Sequence, residues 1–314
     1  MKLSILVTFY NQEKYVDFTL NNIFSMNINY DYEVLIGDDG STDNTVGLLK
    51  IWKERYPNII NYFVMERDST IKYDPIVRAS RNRVNLLKNA KGEYIAFLDG
   101  DDFYCDKEKF NKQIYYLDNH SNCVASATNC FMYYSEENKK ILNINQKNDK
   151  LIQAKNYWKF SYYHISTFLF RNIFLDNKID FIEDFFDDNY ITFVFLKYGD
   201  LYYINIPTTC YRQSNESVWN SSNEYNQAVI NYVDYEMELI YNQNYKKYSF
   251  KRHLNDFRTV NKYIDSNIEI NINVINRVKK FNLDNSIKEK CKKYTIRYFI
   301  YIIERKINKI LGRI

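Results

Sequence analysis

The sequence predicts an α/β protein on a doubly wound, mostly parallel sheet, with a helical segment after it. Three observations carry this. Short, continuous apolar runs end in turn or acidic residues at 3–9, 32–36 and 94–98. Such runs read as strands buried on both faces. Segments of helical period lie between them. Polar and acidic groups gather just past the strands' C-terminal ends, where open α/β sheets bind ligands.

Leu3–Phe9 is the first strand, and Tyr10, Asn11 and Gln12 form a loop. Glu13–Phe24 repeats Tyr15, Phe18, Leu20, Ile23 and Phe24 along one helical face. Tyr32–Ile36 is a strand closed by Gly37-Asp38-Asp39-Gly40-Ser41. Thr42–Tyr56 is a helix with Val46, Leu49 and Trp52 inward, Thr42 or Asp43 as cap, and Pro57 as stop. Ile59–Met65 is a third strand, and Arg78–Asn89 a helix. Then comes GEYIAFLDGDD, Gly92 to Asp102, a buried strand ending in Asp99, Asp101 and Asp102 around Gly100. Carboxylates this close repel one another, and a divalent cation between them relieves the repulsion. The bland alternative is a solvated acidic turn.

Lys107–Leu117 reads as a helix, Val124–Tyr134 as a strand, 135–150 as a polar loop or hairpin, and Tyr162–Arg171 as a strand. A helix runs on from Asp188, and Leu201–Ile206 is a further strand. From Glu224 onward the chain reads as helical, with Tyr225–Tyr241, Asp256–Ile264, Ile272–Phe281 and Ile287–Leu311 as pieces. The expected division is 1–222, itself split at 105, and 223–314 as a basic helical region.

Bulk properties narrow the class. Of 314 residues, 46% are hydrophobic and 26% charged, as in soluble domains. Five cysteines with no CxxC spacing argue against a disulfide framework or a zinc site and suit a reducing cytosol. The start, MKLSILVTFYNQE, does not read as a signal peptide. From Ser286 to Ile314 nine Lys or Arg face two Glu, a local +7 in a chain of net +4. Basic charge confined to the tail argues against nucleic acid as a partner. A basic amphipathic helix there suits an anionic membrane surface, while a solvated basic face is the plain alternative.

Parallel strands ending at Thr8–Tyr10, Asp38–Asp39 and Asp99–Asp102 bring these groups to one sheet edge. A nucleotide fits there: Tyr10 for the base, acids for base N–H and ribose hydroxyls, a cation for the pyrophosphate. The sequence contains neither GxGxxG nor GxxxxGK[ST], so it is neither a dinucleotide fold of that type nor a P-loop.

Taken together, SILVTFYNQEKYV, VLIGDDGSTDNT, RASRN and GEYIAFLDGDD resemble the family 2 glycosyltransferases of the GT-A fold, in order and spacing over residues 3–105. The resemblance implies an inverting, metal-dependent transfer from a nucleotide-sugar, a UDP-sugar by preference, to a glycan or lipid-linked acceptor. It places Thr8 and Tyr10 beside the uracil, Asp39 on the base, Arg81 near the nucleotide, Asp99 near the ribose and Asp101 on Mn²⁺ or Mg²⁺. DSTIKYDP, residues 68–75, departs from the short Asn-Gly turn usual in the family. The general base is expected in an acidic pair at a helix start. Against the family's pattern Glu183-Asp184 fits by residue type, and Asp187-Asp188 by the family's spacing to the glycine that ends this helix, here Gly199. Asp188 is preferred and Asp184 is its competitor. Arg212 suits a diphosphate oxygen, while Ser214 stands where the family commonly has His. His164 and Trp219 are acceptor-side candidates, each with an equally plain structural alternative. The implied place is the cytoplasm, or the inner face of its membrane. A nucleotidyltransferase is the runner-up, but FYNQEKY lacks its Gly-rich basic loop. A non-catalytic nucleotide-sugar-binding module is the third reading.

Overall fold

The computed structural model describes residues 1–70, 75–159, 163–175, 183–213, 223–241 and 253–263. The chain divides into two compact units, Met1–Ser214 and Asn215–Ile314.

The first unit is built on a mixed sheet of ten strands in the order β3-β2-β1-β4-β9-β6-β10-β5, with β7 on β6 and β8 on β10. Its first half is parallel. β1 (Leu3–Phe9) pairs with β2 (Tyr32–Asp38) and β4 (Tyr94–Asp99), and β2 pairs with β3 (Ile60–Val64). The connecting helices are α1 (Glu13–Phe24), α2 (Thr45–Arg55) and α3 (Pro75–Asn89). β1 and β4 are buried on both faces, as their unbroken apolar runs require. α1 turns Val16, Leu20 and Ile23 into the core. α2 begins at Thr45, three residues after Thr42; the Asp43 carboxylate accepts the Thr45 N–H at 3.0 Å at this helix start and the Glu13 N–H at 3.0 Å at the start of α1.

The second half mixes directions. β6 (Cys123–Tyr134) runs parallel to β10 (Asp200–Gln213) and antiparallel to β7 (Lys139–Leu142) and β9 (Leu169–Arg171). β5 (Phe103–Tyr104) and β8 (Lys150–Ile152) pair antiparallel with β10. α4 (Lys109–Asn119) and α5 (Asp188–Leu196) complete the unit. Two expectations change here. The strand anticipated at 162–171 is a three-residue 3₁₀ turn, Ile165–Thr167, followed by the short β9. Thr167 folds back, its N–H and Oγ1 both donating to His164 O at 2.9 and 2.6 Å. The strand anticipated at 201–206 continues past Pro207 to Gln213. Register shifts around Pro207 absorb the residue that cannot donate to the ladder.

Gly92 shows how closely the sheet edge is fitted. Its N–H donates to Ser4 Oγ at 2.8 Å, and Ser4 Oγ donates to the buried Glu33 at 2.7 Å. A Cβ at Gly92 would lie 2.4 Å from Ser4 N. Gly92→Ala is therefore expected to cost about 2 kcal/mol, read as a lower denaturant midpoint with an unchanged m-value. An unshifted midpoint would show that the edge relaxes freely.

In the second unit, α6 (Glu224–Tyr241) buries Tyr225, Ala228, Val229, Tyr232 and Tyr235, and α7 (Leu254–Tyr263) buries Phe257 and Val260. Tyr235 meets Phe257 edge-on at 4.9 Å. Asn231 Nδ2 donates to Asp256 Oδ1 at 2.9 Å. The expected pieces 272–281 and 287–311 lie outside the described residues. Among the described residues, no helix is long and apolar enough to cross a membrane.

Candidate active site

The loop after β4 is fastened to β1 by its backbone. Gly100 N–H donates to Thr8 O at 2.8 Å, Asp102 N–H to Asp99 O at 2.9 Å, and Thr19 Oγ1 to Gly100 O at 2.7 Å. A Cβ at Gly100 would strike the Phe9 ring at 2.2 Å, so glycine lets the loop lie against β1. The three acids then point to different environments.

Asp99 is half-buried, and its Oδ1 accepts from Thr8 Oγ1 at 3.1 Å and Arg83 Nη2 at 3.0 Å. Burial alone would raise this carboxyl, but the Arg83 charge and the two hydrogen bonds hold it below the usual range. Asp101 is pushed up to about 6, by burial first and then by the Asp99 charge. Asp102 is fully buried and raised well above the ordinary carboxylate, by burial first and then by Asp101 and Asp99. Its Oδ1 accepts the Arg212 N–H at 2.8 Å, while its Oδ2 accepts no hydrogen bond from the described residues. His164 Nδ1 lies 3.8 Å from that Oδ2. The His164 ring stacks on Tyr211 at 3.9 Å, and burial pushes its pKa down.

Asp99, Asp102 and His164 therefore form a group whose ligand atoms all lie within 4.8 Å of one another. Asp101, the acid expected to hold the cation, flanks this group, and Asp102 is the acid that converges with Asp99 and His164. His164 joins it because the 3₁₀ turn, where a strand was anticipated, turns the imidazole inward.

The edge expected to take the nucleotide is richer in arginine than anticipated. Asp39 is 6% exposed, and its two oxygens face Arg67 Nη2 at 2.5 Å and Arg78 Nε at 2.6 Å. The Arg67 guanidinium also covers the Tyr10 ring at 4.1 Å and donates to Tyr10 Oη at 3.0 Å. Arg81, the arginine expected near the nucleotide, is exposed and pairs with Asp184 at 2.8 Å. Two residues on, Arg83 Nη1 pairs with Asp188 at 3.0 Å while its Nη2 holds Asp99. Burial opposes the Arg83 charge, yet Asp99 and Asp188 together raise its pKa.

The two competing acid pairs thus separate. Glu183 pairs with Lys88 at 2.6 Å and Asp184 with Arg81, both on exposed parts of α3. Asp187 caps α5, accepting Tyr190 N–H at 3.1 Å, and Asp188 sits in the first helical turn, where the dipole favours a carboxylate. Arg212 Nε donates to Asp101 O at 2.8 Å, and its guanidinium lies 4.8 Å from the Tyr15 ring centre and 5.2 Å from that of Tyr133. Trp219 and Ser214 lie outside the described residues.

Sequence reasoning named one arginine of RASRNR, and the fold uses three. Arg67, Arg78 and Arg83 were missed. The signal available was charge balance, since buried acids at a strand end need cations near them.

Comparison with known proteins places this arrangement. Residues 4–177 match the model of the family described as "Glycosyl transferase family 2". TarS of Staphylococcus aureus strain Mu50, a poly(ribitol-phosphate) beta-N-acetylglucosaminyltransferase, is 34% identical over 125 residues, 40% of this chain and 20% of TarS. The poly(ribitol-phosphate) beta-glucosyltransferase of Bacillus spizizenii strain W23 is 36% identical over 104 residues, 33% of this chain and 15% of that enzyme. The Mycobacterium tuberculosis protein Rv1520 is 32% identical over 118 residues, 38% of this chain and 32% of that protein. The chain thus spans about a third or less of the length of these relatives. Among solved structures, S. aureus TarS 1–349 with UDP-GlcNAc superposes with TM-score 0.61 at 18% identity, covering 100% of this chain and 93% of that one. The mannosyltransferase PcManGT of Pyrobaculum calidifontis, with GDP-Man and Mn²⁺, superposes with TM-score 0.54 at 13% identity, covering 100% and 88%. With more than half of its length matched by the family model and its sheet shared with these enzymes, the chain belongs to glycosyl transferase family 2 and has the GT-A fold.

Proposed function

We propose that this protein is a glycosyltransferase that moves a sugar, with inversion, from a UDP-sugar to a hydroxyl of a cell-surface glycan or lipid-linked acceptor. The observation that carries the reading is Arg83, which holds Asp99 and Asp188 on its two terminal nitrogens, each at 3.0 Å. One side chain thereby joins the acid of the donor end to the acid suited to activating the acceptor. In the transfer, the acceptor oxygen forms a bond to the anomeric carbon as the bond from that carbon to the diphosphate oxygen breaks. The acceptor proton passes to Asp188, and the nucleoside diphosphate departs. Thr8, Tyr10 and Asp39 line the nucleotide end, and Arg212 flanks the acid loop.

The buried, unbonded Asp102 Oδ2, beside Asp99 and His164, suits a divalent cation of the Mn²⁺ or Mg²⁺ kind. Asp101 flanks this set. When bound, such an ion supplies positive charge for the leaving diphosphate. The membrane part of the proposal rests on charge alone: the basic segment 287–311 suits an anionic lipid surface on the cytoplasmic side. Co-sedimentation with anionic but not neutral vesicles is its expected result, and no co-sedimentation removes it. The surface-glycan assignment draws on the relatives, two of which are named for poly(ribitol-phosphate).

The test is a screen of UDP-N-acetylglucosamine, UDP-glucose, GDP-mannose and dTDP-glucose with Mn²⁺, read as thermal stabilisation and nucleotide release. A UDP-sugar is expected to stabilise the protein and to turn over. Stabilisation by none of them, with or without the metal, would sink the reading. Asp39→Asn should weaken donor binding about tenfold, the worth of one charge-assisted hydrogen bond, with kcat less affected. Unchanged donor affinity in titration calorimetry would take Asp39 out of the donor site.

A further inference from the structure

At the start of α4 lies a lysine that the transfer just described does not use. Lys109 opens α4 and is fully buried. Its Nζ donates to Gln113 Oε1 at 2.8 Å and to Thr167 O at 2.9 Å, two neutral acceptors. Gln113, one helical turn later and equally buried, donates its Nε2 to Thr167 O at 3.0 Å and to Ser126 O at 3.1 Å. Thr128 Oγ1 reaches the same Thr167 carbonyl at 3.3 Å. Three side-chain donors thus converge on one buried carbonyl.

Stability alone does not call for this. Burial pushes the Lys109 amine down to about 7, against the pull of Cys105, Asp106 and Cys130. An apolar side chain of the same length would avoid that desolvation cost. What the carbonyl controls is the turn Ile165–Thr167. Besides the two bonds from Thr167 to His164 O, Ser166 Oγ bonds His164 Nδ1 at 2.6 Å and Thr209 Oγ1 donates to Ser166 O at 3.1 Å. The Ser166 and Thr167 polar groups of the turn are fastened, and the side chain it presents is His164, with Nδ1 3.8 Å from Asp102.

We propose that Lys109 and Gln113 are positioning residues for sugar transfer: by holding the Thr167 carbonyl they fix the turn that sets the His164 imidazole against Asp102. The inference rests on the reading of Asp99, Asp102 and His164 as part of the reaction centre. It adds a polar support reaching from the start of α4 to the site through one peptide group.

The test is a double-mutant cycle of Lys109→Met and His164→Ala in the full chain. Its readout is nucleoside diphosphate release from UDP-N-acetylglucosamine or UDP-glucose, whichever turns over faster, with Mn²⁺. K109M is expected to lower kcat about tenfold, as a small misplacement of a site group does, with donor KM within about twofold. Its thermal midpoint at pH 7 should equal or exceed that of the wild type, so the loss of turnover is not a loss of fold. In the H164A background, K109M should lower kcat no further. An equal loss in both backgrounds would overturn the positioning role, as would wild-type kcat in K109M. Wild-type kcat in H164A would instead remove His164 from the centre, which separates failure of the underlying reading from failure of the support. If K109M is too unstable to assay, Gln113→Met removes one donor to the same carbonyl without touching a charge, and the same cycle applies.

Discussion

Asp188→Asn is expected to lower kcat by about 10²–10⁴-fold, the usual contribution of a general base, while donor affinity stays within about twofold. The amide keeps the size of the carboxylate and one oxygen toward Arg83 Nη1, so α5 and the Arg83 contact survive. What it loses is the ability to take the acceptor proton. The effect should therefore fall on turnover and not on donor binding, and calorimetry beside saturating kinetics separates the two. Asp184→Asn is the control. Asp184 pairs with the exposed Arg81, away from the arginine that holds Asp99, and its loss should leave kcat within about twofold, as for a surface ion pair. If D184N is the inactive variant and D188N turns over normally, the base is Asp184, and Arg83 joins two structural acids.

The first four strands and three helices were legible in the sequence because each is specified locally. β1 and β4 are unbroken apolar runs, and α1 and α3 carry a helical period, so the sheet edge where Asp39 and Asp99 emerge could be named in advance. The second half was less legible for a physical reason. β6 and β10 are long, pair in parallel across nearly eighty residues of chain, and are held by partners that no local pattern announces. The turn at 165–167 is the sharpest case. The residues around it, HISTFLF, look like a strand; the Thr167 bonds to His164 O close the turn locally, and long-range bonds from Lys109, Gln113 and Thr209 hold it in place. The choice among arginines failed similarly. Arg81 and Arg83 are two residues apart, and on a helix that spacing turns them about 200° from one another. One faces solvent and the other the acid loop, which depends on how α3 packs and not on the motif.

Arg83→Met tests whether that inward-facing arginine does more than balance charge. The wild-type side chain is 12% exposed and meets two carboxylates that are themselves largely covered, Asp99 at 29% and Asp188 at 24%. Removing the guanidinium leaves both acids near each other without their shared cation. A stability loss of about 3 kcal/mol is expected, as for a broken buried pair, with kcat down about 10²-fold through misplacement of Asp188. Arg83→Lys divides these effects. Lysine restores one positive charge, so most of the stability should return. An ammonium lacks the rigid fork that places two nitrogens on two different carboxylates, so turnover should stay low. Denaturant melts and kcat on the two variants decide the matter. Recovery of both by lysine would mean that charge suffices and the fork is incidental. Wild-type turnover in R83M would mean that the link between Asp99 and Asp188 belongs to the fold and not to the chemistry.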